Sequence, residues 1–303
     1  MESKPFINRQ TVTDNDSAEL RNISRRRLKN KIMKGVFFAA TMVGIIFLIV
    51  LLFRIISEGM LRLNWNFLTS FPSRIPGRAG ILSSLVGSLY IIGLTALVSI
   101  PLGIGTAIYL IEYAKKTKLN EFIQLNISNL SGVPAIVYGI LGLAIFVKAM
   151  LLGTSIIAGA FTLSLLILPV IIISTEEALK TVPNSLRENA LALGVTKWQM
   201  ITGVVLPFAA PGIITGCILA LSRGIGEASP LFIAGAVGYA AFLPRSIFDT
   251  YTILPIQIYD WTSRAQTDFH ELAASGIIVL ITILLVMNGI AIFIRNKYSK
   301  RYD

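Results

Sequence analysis

Cysteine and histidine each occur once in this 303-residue chain. A lone Cys217 excludes an intrachain disulfide and leaves the redox compartment open; set in an apolar segment, it reads as a space-filling side chain. His270, with no second histidine or cysteine near it, offers no metal-ligand set and reads as a polar residue at the outer end of the last apolar segment. The string G-x-x-x-x-G-K-[ST] is absent, so the chain has no phosphate-cradling loop of its own and any ATP-derived energy must come from another polypeptide. An intramembrane enzyme would need a pair such as two aspartates, serine with histidine, or clustered metal ligands at membrane depth, whereas the only strong charged pair in an apolar stretch is Arg223 with Glu227, which disfavours that reading. Charge is scarce as well: only 14% of residues are Asp, Glu, Lys or Arg.

What is abundant is apolar surface. A hydrophobic content of 54% with a mean hydropathy of +0.73 cannot be wrapped into a soluble globule of this length, so the chain reads as an all-α polytopic membrane protein. A membrane helix needs about 20 mainly apolar residues, and six stretches qualify, near 35–57, 81–111, 130–150, 154–176, 208–236 and 272–294. The second and fifth are long enough to tilt or bend. The net charge of +11 suggests nucleic acid only until its distribution is read. Nineteen of the 27 Lys and Arg fall in 1–34, 115–118, 180–197 and after residue 294, all on one side of a six-span arrangement. The positive-inside rule then puts both termini and the 180–197 stretch in the cytoplasm, with lipid and not nucleic acid as the surrounding partner.

Residues 1–24 are polar and aperiodic and read as lacking fixed structure. A basic run over 25–34 precedes the first span, whose apolar part is too long for a signal peptide and is read as a retained helix. Trp65, Phe67 and Phe71 among Pro72, Pro76 and Gly77 suggest an interfacial outer loop with aromatic anchors. Gly87, Ser88, Pro101, Gly103 and Gly105 imply kinks and close packing in the second span. A short outer turn is expected at Leu152-Gly153. The stretch 237–271, with Pro244, Tyr251, Pro255, Tyr259 and Trp261, reads as a long outer loop able to cover the outer mouth or meet an extracellular partner. Gly212 and Gly216 form a G-x-x-x-G pair that weakly supports a permease dimer.

Between the fourth and fifth spans lies a polar interruption, 185–207. Ser185 with Glu188, and Thr196 with Gln199, each have the spacing of a capping box, which predicts two short helices, the first ended by Gly194 and the second by Pro207. Leu186, Ala190 and Leu193 form a narrow apolar stripe on the first, with Arg187 and Glu188 pointing elsewhere. Glu188-Asn189-Ala190, three residues, Gly194, nine residues, then Val204-Val205-Leu206-Pro207 resembles the EAA motif of bacterial ABC importer permeases, with Asn189 and Val204 as mild departures. The resemblance implies a type-1 ABC importer (MetI-like) permease fold in the bacterial cytoplasmic membrane. It also implies that 185–205 is a coupling helix docking on a separate ATPase, with Glu188, Ala190, Gly194, Leu206 and Pro207 in the coupling role. A membrane scaffold, the rival of another class, would tolerate change at Glu188 and Gly194.

Within the fifth span stand Arg223 and Glu227, four residues apart and so on one helical face. A central Arg costs about 2.5–3.5 kcal/mol on insertion scales, so the pair should face the bundle interior or water. Counted from Pro207, Arg223 lies roughly 24 Å along the helix, in the outer half of the membrane. Two readings stay open: a salt bridge that only lets both groups sit there, or a fixed positive charge for a passing oxyanion with Glu227 keeping affinity low enough for release. Arg223-Gly-Ile-Gly226-Glu227-Ala-Ser-Pro230-Leu231 is similar to the R-x-x-G-E-T-A-P-L string of phosphate importer permeases of the PstA type, and 129–146 resembles their third core helix, with Ala135 and Tyr138 where Ser and Phe are more usual. This second resemblance implies phosphate as cargo, a PstC-like partner permease, a PstB-like ATPase pair carrying the ATP and magnesium, and an external PstS-like phosphate-binding protein. Permeases for sulfate, molybdate or phosphonate remain the alternative within the class. The expected organisation is a cytoplasmic tail at 1–34, a first helix and outer loop at 35–80, a transmembrane core at 81–294 and a second cytoplasmic tail at 295–303.

Overall fold

A computed structural model of the chain describes residues 9–115 and 117–299, and among them there is helix but no strand. The helices are α1 (Arg9–Gly59), α2 (Trp65–Thr69), α3 (Leu82–Ile108), α4 (Lys118–Leu130), α5 (Ala135–Gly142), α6 (Ile156–Lys180), α7 (Asn184–Ala192), α8 (Lys197–Met200), α9 (Leu206–Gly226), α10 (Ser229–Ile233), α11 (Leu254–Thr262) and α12 (Thr267–Ser299). Wider π-helical turns extend α3 (Tyr109–Tyr113) and α5 (Leu143–Ala149) and join α8 to α9 (Ile201–Val205). The chain divides into two compact units, up to Ile55 and from Ile56. Among the described residues five helices are long and apolar enough to cross a membrane, Lys29–Gly59, Leu82–Tyr113, Ile156–Lys180, Lys197–Gly226 and Thr267–Lys297, with a sixth if the bent pair Lys118–Leu130 and Ala135–Ala149 is one span.

Four sequence expectations are corrected here. Residues 9–24 are helical and continuous with the first span, because extending an existing helix requires no new nucleus; residues 1–8 lie outside the described residues. The expected third span, 130–150, is shortened: its helix runs only Ala135–Ala149 and meets α4 at 104° across Pro134, whose ring disfavours a helical residue before it. The fifth begins earlier and ends earlier than expected, running Lys197–Gly226. The supposed outer loop 237–271 contains α11, and Tyr251 and Trp261 are fully buried, so those aromatics serve packing and not an external partner.

In the second unit α6 is the central helix. Its Leu163, Ile167 and Ile171 are buried, and α3, α5 and α9 pack around it. On α3 the buried residues Gly87, Ile91, Thr95, Ser99, Gly103 and Ala107 recur every four positions, a ridge of mostly small side chains that lets the α6 backbone approach. Thr95 Oγ1 donates across that seam to Ala160 O at 3.3 Å. The G-x-x-x-G pair on α9 serves the same purpose within the chain: a Cβ on Gly212 would lie 2.8 Å from that of Ala178, and one on Gly216 would overlap Ser174, both on α6. It therefore packs α9 on α6 and is no sign of a dimer. A second apolar cluster gathers Phe67, Ile81, Leu254, Trp261, Phe269 and Leu272, with the Phe67 and Trp261 rings 6.0 Å apart. Phe67 is thus a core residue, while Trp65 is exposed.

Candidate functional site

The polar interruption folds as an elbow, though not with the caps expected throughout. Thr196 and Gln199 form the predicted capping box, with Gln199 N–H donating to Thr196 Oγ1 at 3.3 Å and Thr196 N–H to Gln199 Oε1 at 2.8 Å. Ser185 caps nothing: α7 starts one residue before it with Pro183 at the N-cap, where the proline ring fixes φ near its helical value. Gly194 has φ +82°, the left-handed conformation that terminates a helix at little cost only in glycine. Pro207 does not end the second helix. Leu206 N–H donates to Ile201 O, five residues back, and this π turn just before the proline lets α8 run on into α9 without a break.

Of the expected apolar stripe, Ala190 is buried and Leu186 half-buried, but Leu193 is 85% exposed, as are Leu191 and Trp198 in lesser degree. The elbow therefore presents apolar side chains outward at its tip. Glu188 is exposed beside them, and Leu206 and Pro207 are half-buried at the elbow's base.

Arg187 was expected to point away and instead anchors the elbow. Its Nη2 and Nε donate to Glu112 Oε1 at 3.0 and 3.1 Å, Nη2 also to Leu179 O at 2.9 Å, and Nη1 to Val182 O at 2.5 Å. The next residue after Glu112 is held as well, since Lys197 Nζ sits 4.9 Å from the Tyr113 ring centroid. No motif or spacing pairs Glu112 with Arg187, since they are 75 residues apart. Their residue types offered the one usable signal, an acidic residue closing one span and a basic residue opening the elbow.

Arg223 and Glu227 are brought together as expected, Nε to Oε1 at 3.6 Å. The setting differs, however. Arg223 lies in the last turn of α9, where a cation suits the helix dipole, and Glu227 is already outside the helix as its extended C-cap residue (φ −85°, ψ 106°). The glycine-rich string is thus a helix, break and helix: α9 ends at Gly226 and α10 starts at Ser229 with Pro230 in its first turn. At 3.6 Å the contact is a charge pair and not a hydrogen bond, and the Arg223 side chain is 45% exposed. Ser222 Oγ donates to Asn288 Oδ1 at 2.6 Å, fixing this end of α9 against α12. The elbow and the charged pair are not one site; seventeen residues of helix, roughly 25 Å, separate Leu206 from Arg223. His270 Nε2 donates to Arg264 O at 2.8 Å, a local contact at the start of α12. Among the described residues no group of three or more His, Cys, Asp or Glu is placed to hold a metal.

Residues 99–300 match the family described as binding-protein-dependent transport system inner membrane component. The chain belongs to this family. With five or six helices of spanning length it is a multi-pass membrane protein. Among curated proteins it is 36% identical to the probable ABC transporter permease protein YqgI of Bacillus subtilis over 91% of this chain and 98% of that one. It is 34% identical to the phosphate transport system permease protein PstA of Pasteurella multocida (90% and 96%) and 31% identical to that of Haemophilus influenzae (87% and 92%). In solved structures its fold is shared by a chain of a bacterial ABC transporter involved in the import of alginate (TM-score 0.64, 18% identity, 90% of this chain and 99% of that one). The MetNI methionine ABC transporter shares it too (TM-score 0.60, 16% identity, 72% and 95%). The all-α importer-permease fold expected from the EAA-like motif is the fold observed.

Proposed function

We propose that the chain is the permease subunit of an ATP-driven importer that moves inorganic phosphate across the bacterial cytoplasmic membrane by alternating access. The observation that carries the cargo is the state of Arg223: a guanidinium 45% exposed at a helix break, beside a carboxylate 3.6 Å away that takes none of its donors in a hydrogen bond. Such a group offers a planar fork to an oxyanion, and the nearby carboxylate lowers the affinity enough for release. Phosphate in particular is supported by the two phosphate permeases at 31% and 34% identity.

The exposed apolar tip of the elbow supports docking on a PstB-like ATPase pair, where ATP and magnesium bind, with Glu188, Ala190, Gly194, Leu206 and Pro207 serving the coupling. A PstC-like second permease and an external PstS-like phosphate-binding protein complete the assembly. The clustering of Lys and Arg supports a cytoplasmic elbow and cytoplasmic termini. ATP binding closes the ATPase dimer, the elbow moves with it, the spans open outward to receive phosphate, and hydrolysis resets them.

The test is ATP-dependent uptake of labelled phosphate into proteoliposomes holding the four components, with sulfate and molybdate as competitors. Wild type is expected to take up phosphate with little competition, and Arg223→Gln to lower uptake at least tenfold with the complex intact. Normal uptake by Arg223→Gln would show the pair to be structural; uptake abolished by sulfate would reassign the cargo.

A further inference from the structure

Two consecutive side chains close the π-helical end of α3, and each is gripped by a different half of the elbow: Glu112 by Arg187 of α7, Tyr113 by Lys197 of α8. The Arg187 fork does more than pair a charge. Nε and Nη2 hold Glu112, while Nη2 also holds the carbonyl of Leu179 in the last turn of α6 and Nη1 that of Val182 in the link to α7, so that one guanidinium joins the ends of α3 and α6 to α7. The pair is shielded, with 15% of the Arg187 side chain and 6% of that of Glu112 exposed, unlike the half-open pair at Arg223. A shielded, multiply bonded fork has one preferred geometry, whereas an exposed pair of long side chains has many. α7 therefore cannot tilt without either carrying the ends of α3 and α6 with it or breaking four hydrogen bonds at once. Those two helices form the central seam of the second unit.

We infer that Arg187 is the positioning residue through which elbow movement reaches α3 and α6, with Glu112 and the Lys197–Tyr113 contact as its grips on α3. This rests on the importer reading above.

The experiment uses the complete complex in proteoliposomes, in a Cys217→Ser background, with nitroxide labels on cysteines introduced at the exposed positions Ser185 and Leu102, one on the elbow and one on α3. Two quantities are read: the distance between labels with and without ATP plus orthovanadate, and phosphate carried per ATP hydrolysed. With Arg187 present one distance should persist in both nucleotide states. Arg187→Gln should make the distance change between states and lower phosphate per ATP at least tenfold, with ATP hydrolysis within about twofold of wild type. Arg187→Lys keeps the charge toward Glu112 but cannot bridge carboxylate and carbonyls together, and should lower the ratio about threefold; it carries the test if Arg187→Gln does not assemble. Wild-type distances and ratios in the variant that assembles would overturn the inference. Should the wild-type complex carry no phosphate, the cargo reading fails, yet the distance measurement needs only ATP binding and still decides the role of Arg187.

Discussion

At its N-terminal end α3 is held by burial, and at its C-terminal end by charge. Near the start, Gly87 lies against the Thr252 backbone and Ser88 Oγ accepts the Leu254 N–H at 2.9 Å, next to the cluster built on Trp261. In that region Ser83, Tyr251, Thr252, Gln257 and Trp261 have buried side-chain polar atoms with no hydrogen-bond partner among the described residues. At the other end the Glu112 and Arg187 groups are well satisfied by each other and by main-chain carbonyls. The packed end resists movement because any gap forfeits contact energy; the charged end transmits movement because its bonds are directional and few. Stability and coupling are in this way assigned to opposite ends of one helix.

Four variants and one titration would break or sharpen that contrast. The largest effect should come from Trp261→Ala, which opens a cavity in the packed end and is expected to cost about 3–5 kcal/mol, read as a lowered unfolding midpoint in detergent. Next comes Glu112→Ala at the charged end. Arg187 keeps its carbonyl partners, so the cost should fall below the 3–5 kcal/mol typical of breaking a buried pair, at about 2 kcal/mol by the same measurement. Gly194→Ala should cost about 1 kcal/mol, because the residue must keep φ near +82° although there is open space for the new methyl. Gln257→Met reverses the sign: removing a buried amide without partners should stabilise by about 1 kcal/mol, and a destabilised protein would show that the amide has a role. The smallest effect is local. Asp249 accepts N–H bonds from Arg245 and Ser246 at 2.7 and 2.9 Å, which hold its pKa below the ordinary 3.8. A depressed carboxylate stabilises above the unfolded value and loses that contribution as pH falls through the folded one. Amide exchange at Arg245 and Ser246 should therefore accelerate as pH drops below about 3.8 relative to Asp249→Asn, and identical pH profiles would contradict this.

Where a signal is local, the sequence carries it well. The left-handed turn at Gly194 and the Thr196–Gln199 box follow from residue types within one turn of helix, and the apolar stretches announce most of the spans. Two local signals misled because the backbone had an alternative. Pro207 reads as a helix stop, but a five-residue turn before it absorbs the lost hydrogen bond. The Ser185–Glu188 spacing reads as a cap, but Pro183 starts the helix earlier. Pairings at long range were not legible at all. The Arg187 fork depends on how α3 and α6 end in space, and the Gly212–Gly216 pair could not reveal which helix it would meet. The spacing of Arg223 and Glu227 foretold their contact but not the break in the helix between them.

The turn at Ile201–Val205 has a mechanical consequence. Because it carries the chain past Pro207 without a gap, Lys197–Gly226 is one continuous helix of 30 residues, roughly 45 Å along its path, from the Lys197 grip to the last turn that holds Arg223. A continuous helix has leverage that two separate ones lack: to the extent that it tilts as a unit, about 5° at the elbow sweeps the far tip through roughly 4 Å, more than the length of the Arg223–Glu227 contact. In a chain with a hinge at the proline, the same push would be spent on bending.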